Sequence, residues 1–239
     1  MFCNFVMIIS LMRLIPYYSV VIIAAAIGLS TAVAMGIPNQ EFHKEEGQCA
    51  TQVGDVVSVS PPGTIRLLKS MLMEVRALGM GITECSEVKN GRKIIAESRI
   101  SINGADYSQL FYGTQHDIDP SQLLHSMKYP KGTAIDFGGR YVKRGIWAPF
   151  FTTRNNNAQV IALASGDVIP TSFDLANSGK ISSYLKRVLD VSGKVKIGPM
   201  SLLILAEYAA TDHSKECFDY QDMVLLVTFS DVDEDAGPK

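Results

Sequence analysis

Beyond residue 52 the apolar positions of this chain fall mostly at every second residue, the spacing of half-buried strands. Residues 53–59 alternate in this way and are stopped by Pro61-Pro62-Gly63, which predicts a first strand. Residues 64–78 carry two patterns at once. Ile65, Leu68, Leu72, Val75 and Leu78 share one helical face with Thr64 placed to cap, whereas Met71, Met73, Val75 and Ala77 share one face of a strand. Strands on either side make the extended reading the consistent one. Residues 81–88 and 92–102 flank Asn90-Gly91, whose positive-φ preference predicts a hairpin, and Asn103-Gly104 marks a further turn. Asp119-Pro120-Ser121 opens a predicted short helix through Met127. Residues 138–147 bring turn residues and another alternating stretch, and residues 160–164 read as a buried strand ended by Ser165-Gly166-Asp167. Between residues 178 and 191, Ile181, Tyr184, Leu185, Val188 and Leu189 recur at helical spacing, with Gly193 past the end. Residues 200–208 and 223–229 supply the closing strands.

Many short strands, frequent turn signals and one or two short α-helices predict a mainly β protein, a jelly-roll-like β-sandwich. The pattern assigns residues 53–230 to one domain, preceded by a linker at 35–52 and followed by an acidic tail at 231–239 that is expected to be disordered.

The N-terminus has a different rhythm. From Met1 to Gln40 the only charged side chain is Arg13, and 27 of the first 35 residues are hydrophobic. The run ends in Ser30-Thr31-Ala32-Val33-Ala34, so residues 1–34 read as a secretory signal peptide cleaved after Ala34. Two alternatives stand beside this: a start at Met12 gives a more regular signal, and residues 14–35 are long enough to stay in a bilayer as an anchor helix. The overall 47% hydrophobic content and mean hydropathy of +0.14 come largely from this segment. With Arg13 set aside, 21 basic and 24 acidic side chains remain, a net charge of −3. That balance gives no electrostatic footprint for nucleic acid, and membrane contact is expected only through an uncleaved N-terminal segment. Cys3 falls in the export segment, leaving Cys49, Cys85 and Cys217 as disulfide candidates. In an oxidising compartment three cysteines imply one bridge and one thiol, and spacing does not choose the pair.

Candidate chemistry is sparse. The four histidines form no close pair of metal ligands, and no nucleophile elbow, Walker loop or dinucleotide fingerprint occurs. Trp147 is the only tryptophan and sits beside Tyr141 and the cations Arg140, Lys143 and Arg144. Trp147, Tyr141 and Arg144 therefore form the candidate ligand platform, for a stacked sugar or an acidic partner, against the plainer reading of core packing. The second candidate is acidic. Asp219, Gln221 and Asp222 precede a buried strand, with Glu207 and Asp212 upstream, an oxygen set suited to calcium. The alternative reading is that these acids cap main-chain amides at the turn.

The run Asp219-Tyr220-Gln221-Asp222-Met223-Val224 resembles the closing strand of secreted bacterial β-sandwich domains of unknown function, which carry Asp-aromatic-Asn-Asp-Leu-Val. Gln221 stands here where that pattern has Asn, and Met223 where it has Leu. Residues 60–68, Ser-Pro-Pro-Gly-Thr-Ile-Arg-Leu-Leu, are similar to the openings of such domains. The resemblance implies an extracytoplasmic β-sandwich with a calcium-type loop and identifies no reaction. Pattern and resemblance together lead to the expectation of a secreted, periplasmic or anchored binding or structural module with an envelope or extracellular partner, calcium being the one cofactor in view. The alternative is a secreted hydrolase with dispersed acids at Glu207, Asp219 and Asp222.

Overall fold

The structure, a computed structural model, describes residues 52–82, 94–155, 157–170, 182–215 and 217–232. The signal or anchor segment, the linker up to residue 51, the Asn90-Gly91 hairpin and the tail beyond residue 232 lie outside the described residues.

Among the described residues twelve strands build two antiparallel sheets. The first sheet contains β1 (Val57–Ser60), β2 (Thr64–Leu67), β4 (Ala96–Ile102), β5 (Ser108–Gly113) and β7 (Ala134–Lys143) in the order β1-β2-β7-β4-β5. The two-residue strands β8 (Ile146–Trp147) and β9 (Phe151–Thr152) both pair with β7. The second sheet runs β10-β11-β12-β3-β6 and comprises β3 (Met71–Gly79), β6 (His125–Tyr129), β10 (Val160–Leu163), β11 (Ser201–Ala206) and β12 (Met223–Asp231). Two single-turn α-helices, α1 (Val53–Val56) and α2 (Ser183–Lys186), and a 3-10 turn, Gln115–Asp117, complete the regular structure among the described residues.

Alternation explains the main core. In β3 Met71, Met73, Val75 and Ala77 are buried while the residues between them are half-buried, so the extended reading of residues 71–78 holds. Leu68, which a helix would have buried, is 41% exposed. The inner faces of both sheets share one cluster: Ile65, Ile135, Phe137 and Tyr141 from the first meet Met73, Val75, Leu225 and Phe229 from the second. A second cluster lies on the other face of the second sheet, where Leu203, Leu205 and Val224 pack under Leu185, Phe218 and Tyr220. All six residues of β11 are therefore buried.

Three sequence expectations are corrected. Residues 119–127 form no helix. Asp119 closes a turn by accepting the Ser121 amide at 2.9 Å, and residues 125–129 then pair with β3, because ladder bonds at the sheet edge outweigh local helix preference. The helical pattern over residues 178–191 yields only the turn Ser183–Lys186 among the described residues. Asp190 accepts the amides of Ser192 and Lys194 and folds the chain back, so that Lys196 donates to the Val188 carbonyl at 2.8 Å. The strand expected over residues 53–59 begins as α1, where Asp55 accepts the Gln52 amide, and becomes extended only from Val57.

Candidate functional site

The β7–β8 hairpin turns through two residues, Arg144 at φ 51° and Gly145 at φ 84°, bringing Lys143 opposite Ile146 and Val142 opposite Trp147. The tight turn leaves Ile146 75% and Trp147 36% exposed. A cavity of about 420 Å³ opens beneath it, with Tyr141, Phe151 and Tyr208 buried at its base and Arg144, Ile146 and Trp147 at its mouth. That volume lies in the range of about 300–1,000 Å³ typical of small-molecule sites. The three residues the sequence singled out, Trp147, Tyr141 and Arg144, thus line one cavity. Part of its base is Tyr208, delivered by the turn after β11, and two glycines make room for the surrounding rings. A Cβ at Gly139 would strike the Tyr208 ring and the Glu97 carbonyl, and one at Gly138 would press on Phe150.

The outer face of the first sheet, turned away from the shared core, carries an ion-pair ladder. Register sets Glu97 opposite Arg140, Arg99 opposite Gly138 and Ser101 opposite Asp136. Glu97 is 2% exposed and accepts Arg140 Nε at 2.6 Å and Arg99 Nη2 at 2.8 Å, one guanidinium on each oxygen. Asp136, equally buried, accepts Arg154 Nε at 2.6 Å and the hydroxyls of Thr64 and Thr153. Arg154 also donates to Ser101 Oγ at 2.7 Å. The Arg140 guanidinium lies 4.5 Å from the Trp147 ring centroid, so the ladder abuts the cavity wall.

The acidic candidates form a buried knot between β11 and β12. Glu207 is fully enclosed and Asp222 is 1% exposed. Asp222 Oδ2 accepts the amides of Tyr208 and Ala209, and Glu207 Oε1 those of Ala209 and Ala210. Glu207 Oε2 accepts the Asp219 amide at 3.2 Å, and Asp219 Oδ1 the Gln221 amide at 3.0 Å. Gln221 takes the Ser182 amide on its side-chain oxygen and the Tyr184 hydroxyl on its carbonyl, and Tyr220 sits at φ 57° with its hydroxyl on the Ala158 carbonyl. Burial raises Glu207 to about 7 and Asp219 to about 6. Burial and the neighbouring Glu207 charge push Asp222 well above the usual carboxylate range. Four of the five acidic-set residues thus meet: Glu207, Asp219, Gln221 and Asp222. Asp212 stays apart in an exposed turn on Ser214, whose bonds hold its carboxyl below the usual range. Among the described residues no group of three or more His, Cys, Asp or Glu side chains is arranged to hold a metal ion. His213 stacks on Phe218 at 3.9 Å.

Cys217 is disulfide-bonded, and because it is the only cysteine among the described residues its partner lies outside them, as do Cys49 and Cys85. Sequence reading passed over Tyr208 and Phe151, which reach the cavity from the turn after β11 and from β9, and over the ladder of Glu97, Arg99, Asp136 and Arg154. Their signal is alternation: charged residues at every second position of β4 and β7 read as a solvated face until register pairs them.

Comparison with protein-family models, with curated proteins and with solved structures gives no match.

Proposed function

We propose that this chain is an exported binding module, secreted or held at the cell envelope, which takes a ligand with an apolar body into the cavity under the Arg144–Trp147 hairpin. One observation carries the reading: Tyr141 from β7, Phe151 from β9 and Tyr208 from the turn after β11 converge under an exposed Ile146 and Trp147 around a cavity of about 420 Å³. The acids that a hydrolase would use, Glu207, Asp219 and Asp222, are tied to main-chain amides inside a turn, which favours binding over hydrolysis. Export is supported by the signal-like residues 1–34 and by the disulfide at Cys217, which suits an oxidising compartment. The finer fold reading is a jelly roll. The orders β2-β7-β4-β5 and β12-β3-β6 have its crossed connections, with β11 where the first strand of the facing sheet would stand.

The test is titration of the purified protein with anilinonaphthalene sulfonate, an apolar fluorescent probe. Saturable binding with energy transfer from Trp147, weakened about tenfold by Ile146→Arg at the mouth, is expected. Binding that ignores Ile146→Arg, or no saturable binding, removes the proposal. For export, N-terminal sequencing of the secreted or envelope fraction is expected to begin at Met35, or at Met12 or Met1 in a membrane-held form. Protein confined to the cytoplasm with Met1 intact refutes that part.

A further inference from the structure

We infer a second binding site, for a neutral saccharide, on the outer face of the first sheet. It is a cavity of about 410 Å³ lined by Glu97, Arg99, Asp106, Tyr107, Arg140 and Phe150. Arg140 lines this cavity and Trp147 the one under the hairpin, so their stack stands between the two. No residue is shared between the two linings, and the inference goes beyond the ligand proposed above.

Charge decides the ligand class first. Two guanidinium groups, Arg99 and Arg140, face two carboxylates, Glu97 and Asp106, so the walls sum to zero. Both guanidinium groups are already committed to the buried Glu97, one on each oxygen. An anion entering here would compete with Glu97 for cations that Glu97 cannot release without standing buried and unpaired.

Hydrogen-bonding capacity decides it second. Arg99 spends Nη2 on Glu97 and Nη1 on the Tyr107 carbonyl at 3.3 Å. Asp106 at the exposed rim offers acceptors, and the guanidinium groups keep further N–H donors. A fitting ligand both accepts and donates.

Shape decides it third. Gly138, opposite Arg99, leaves the strand surface bare, and the Phe150 ring lies over it. Phe150 meets Tyr107 edge to face, with centroids 5.1 Å apart and planes at 73°. These rings give the cavity an apolar wall beside its polar floor. A pyranose matches each of these demands, since its C–H face packs on aromatic rings while its hydroxyls both give and take hydrogen bonds at no net charge.

Trp147 is the only tryptophan and rests on Arg140, so its fluorescence reports on the site. The full chain is titrated with neutral hexaoses of α-1,4-linked glucose, β-1,4-linked glucose and N-acetylglucosamine, and with galacturonic acid hexamer and inorganic phosphate as anionic probes. At least one neutral hexaose is expected to bind saturably and to weaken about tenfold or more in Arg99→Lys, which keeps the charge and loses the planar donor set. Asp106→Ala, at an exposed rim position, is expected to weaken binding without touching the fold. Ile146→Arg, at the other cavity, is expected to leave it unchanged, which separates failure of this site from failure of that one. The inference is overturned if no neutral hexaose binds up to about 10 mM, if only the anionic probes bind, or if binding ignores both Arg99→Lys and Asp106→Ala.

Discussion

Asp222 Oδ2 accepts the main-chain amide of Tyr208 at 2.6 Å, so the residue just ahead of β12 fastens the turn that leaves β11. The same tyrosine lays its ring against Gly139 and lines the cavity under the β7–β8 hairpin. A buried carboxyl therefore sets the position of one buried wall of the cavity. Glu207 braces the same turn by accepting the Ala210 amide at 2.8 Å.

This knot makes stability depend on pH. Burial holds Glu207 at about 7 and Asp219 at about 6, above their ordinary 4.5 and 3.8. Between those values the folded chain binds more protons than the unfolded one, so stability falls as pH rises from about 4 to about 7. Each extra bound proton is worth about 1.4 kcal/mol per pH unit. His125, whose pKa burial pushes down, acts in the opposite direction as a single group. The surface residues Asp119, Asp190 and Asp212, held low by nearby serines, titrate below the window. Urea unfolding from pH 5 to 8 is expected to show a falling midpoint, and Glu207→Gln to flatten it. A midpoint that climbs over this range contradicts the account.

Close packing at Gly139 yields a sharper contrast. A methyl group there meets the Tyr208 ring and the Glu97 carbonyl, neither of which can withdraw without opening the core or the β4–β7 ladder. Gly139→Ala is expected to cost about 1–3 kcal/mol and to loosen the cavity. Gly54, in α1 with nothing within 4 Å of its added Cβ, serves as the control. Gly54→Ala is expected to be neutral or to stabilise by up to about 1 kcal/mol. Thermal melts of the two variants check the pair, and equal midpoints would show that Gly139 is not confined.

What the sequence discloses divides along physical lines. The strand β3 is legible because burial on one face enforces alternation, as Met71, Met73 and Val75 show, whereas Gly138 and Gly139, read as turn residues, lie inside β7, where residues on both faces are buried. The helix over residues 178–191 misleads because Tyr184 and Leu185 are drawn into the second core, after which Asp190 turns the chain through side-chain bonds that apolar spacing does not record. Trp147, Tyr141 and Arg144 are legible as neighbours on one hairpin. Tyr208 lies more than sixty residues away from them, and only sheet topology brings it close. The acids of the β11–β12 turn are legible as a set, while their role as amide acceptors depends on φ values and burial that spacing does not encode.

The ladder on the first sheet tests how buried charge is held. Asp136 is 2% exposed and depends on Arg154, with hydroxyls from Thr64 and Thr153 as its other partners. Arg154→Ala leaves a carboxylate buried without a cation, at an expected cost of about 3–5 kcal/mol. Asp136→Asn leaves the half-exposed guanidinium to water and is expected to cost less, about 1–3 kcal/mol. The double variant is then expected to be more stable than Arg154→Ala alone. Chemical denaturation of all four proteins closes the cycle, and strict additivity would mean that the two side chains are not coupled.

Cys217 ties the β11–β12 loop covalently to a part of the chain beyond the described residues. It immediately precedes Phe218, which is fully buried in the second core and packs edge to face on Tyr220 at 4.9 Å. The bridge therefore restrains the loop that carries Asp219 and Asp222. Under the proposed export with cleavage of residues 1–34, Cys3 is lost and three cysteines remain, so one bridge through Cys217 leaves one thiol, at Cys49 or at Cys85. Non-reducing peptide mapping of the purified mature protein is expected to find Cys217 in a cross-linked peptide and one alkylatable cysteine. Cys217→Ser is expected to lower stability by about 2–4 kcal/mol, since the unfolded chain regains the freedom of an open loop. That loss should be matched by adding reductant to the parent protein and should not be deepened by reductant in the variant. Full alkylation of Cys217 before reduction would show that the bridge does not form, and with it would go the disulfide support for an oxidising compartment.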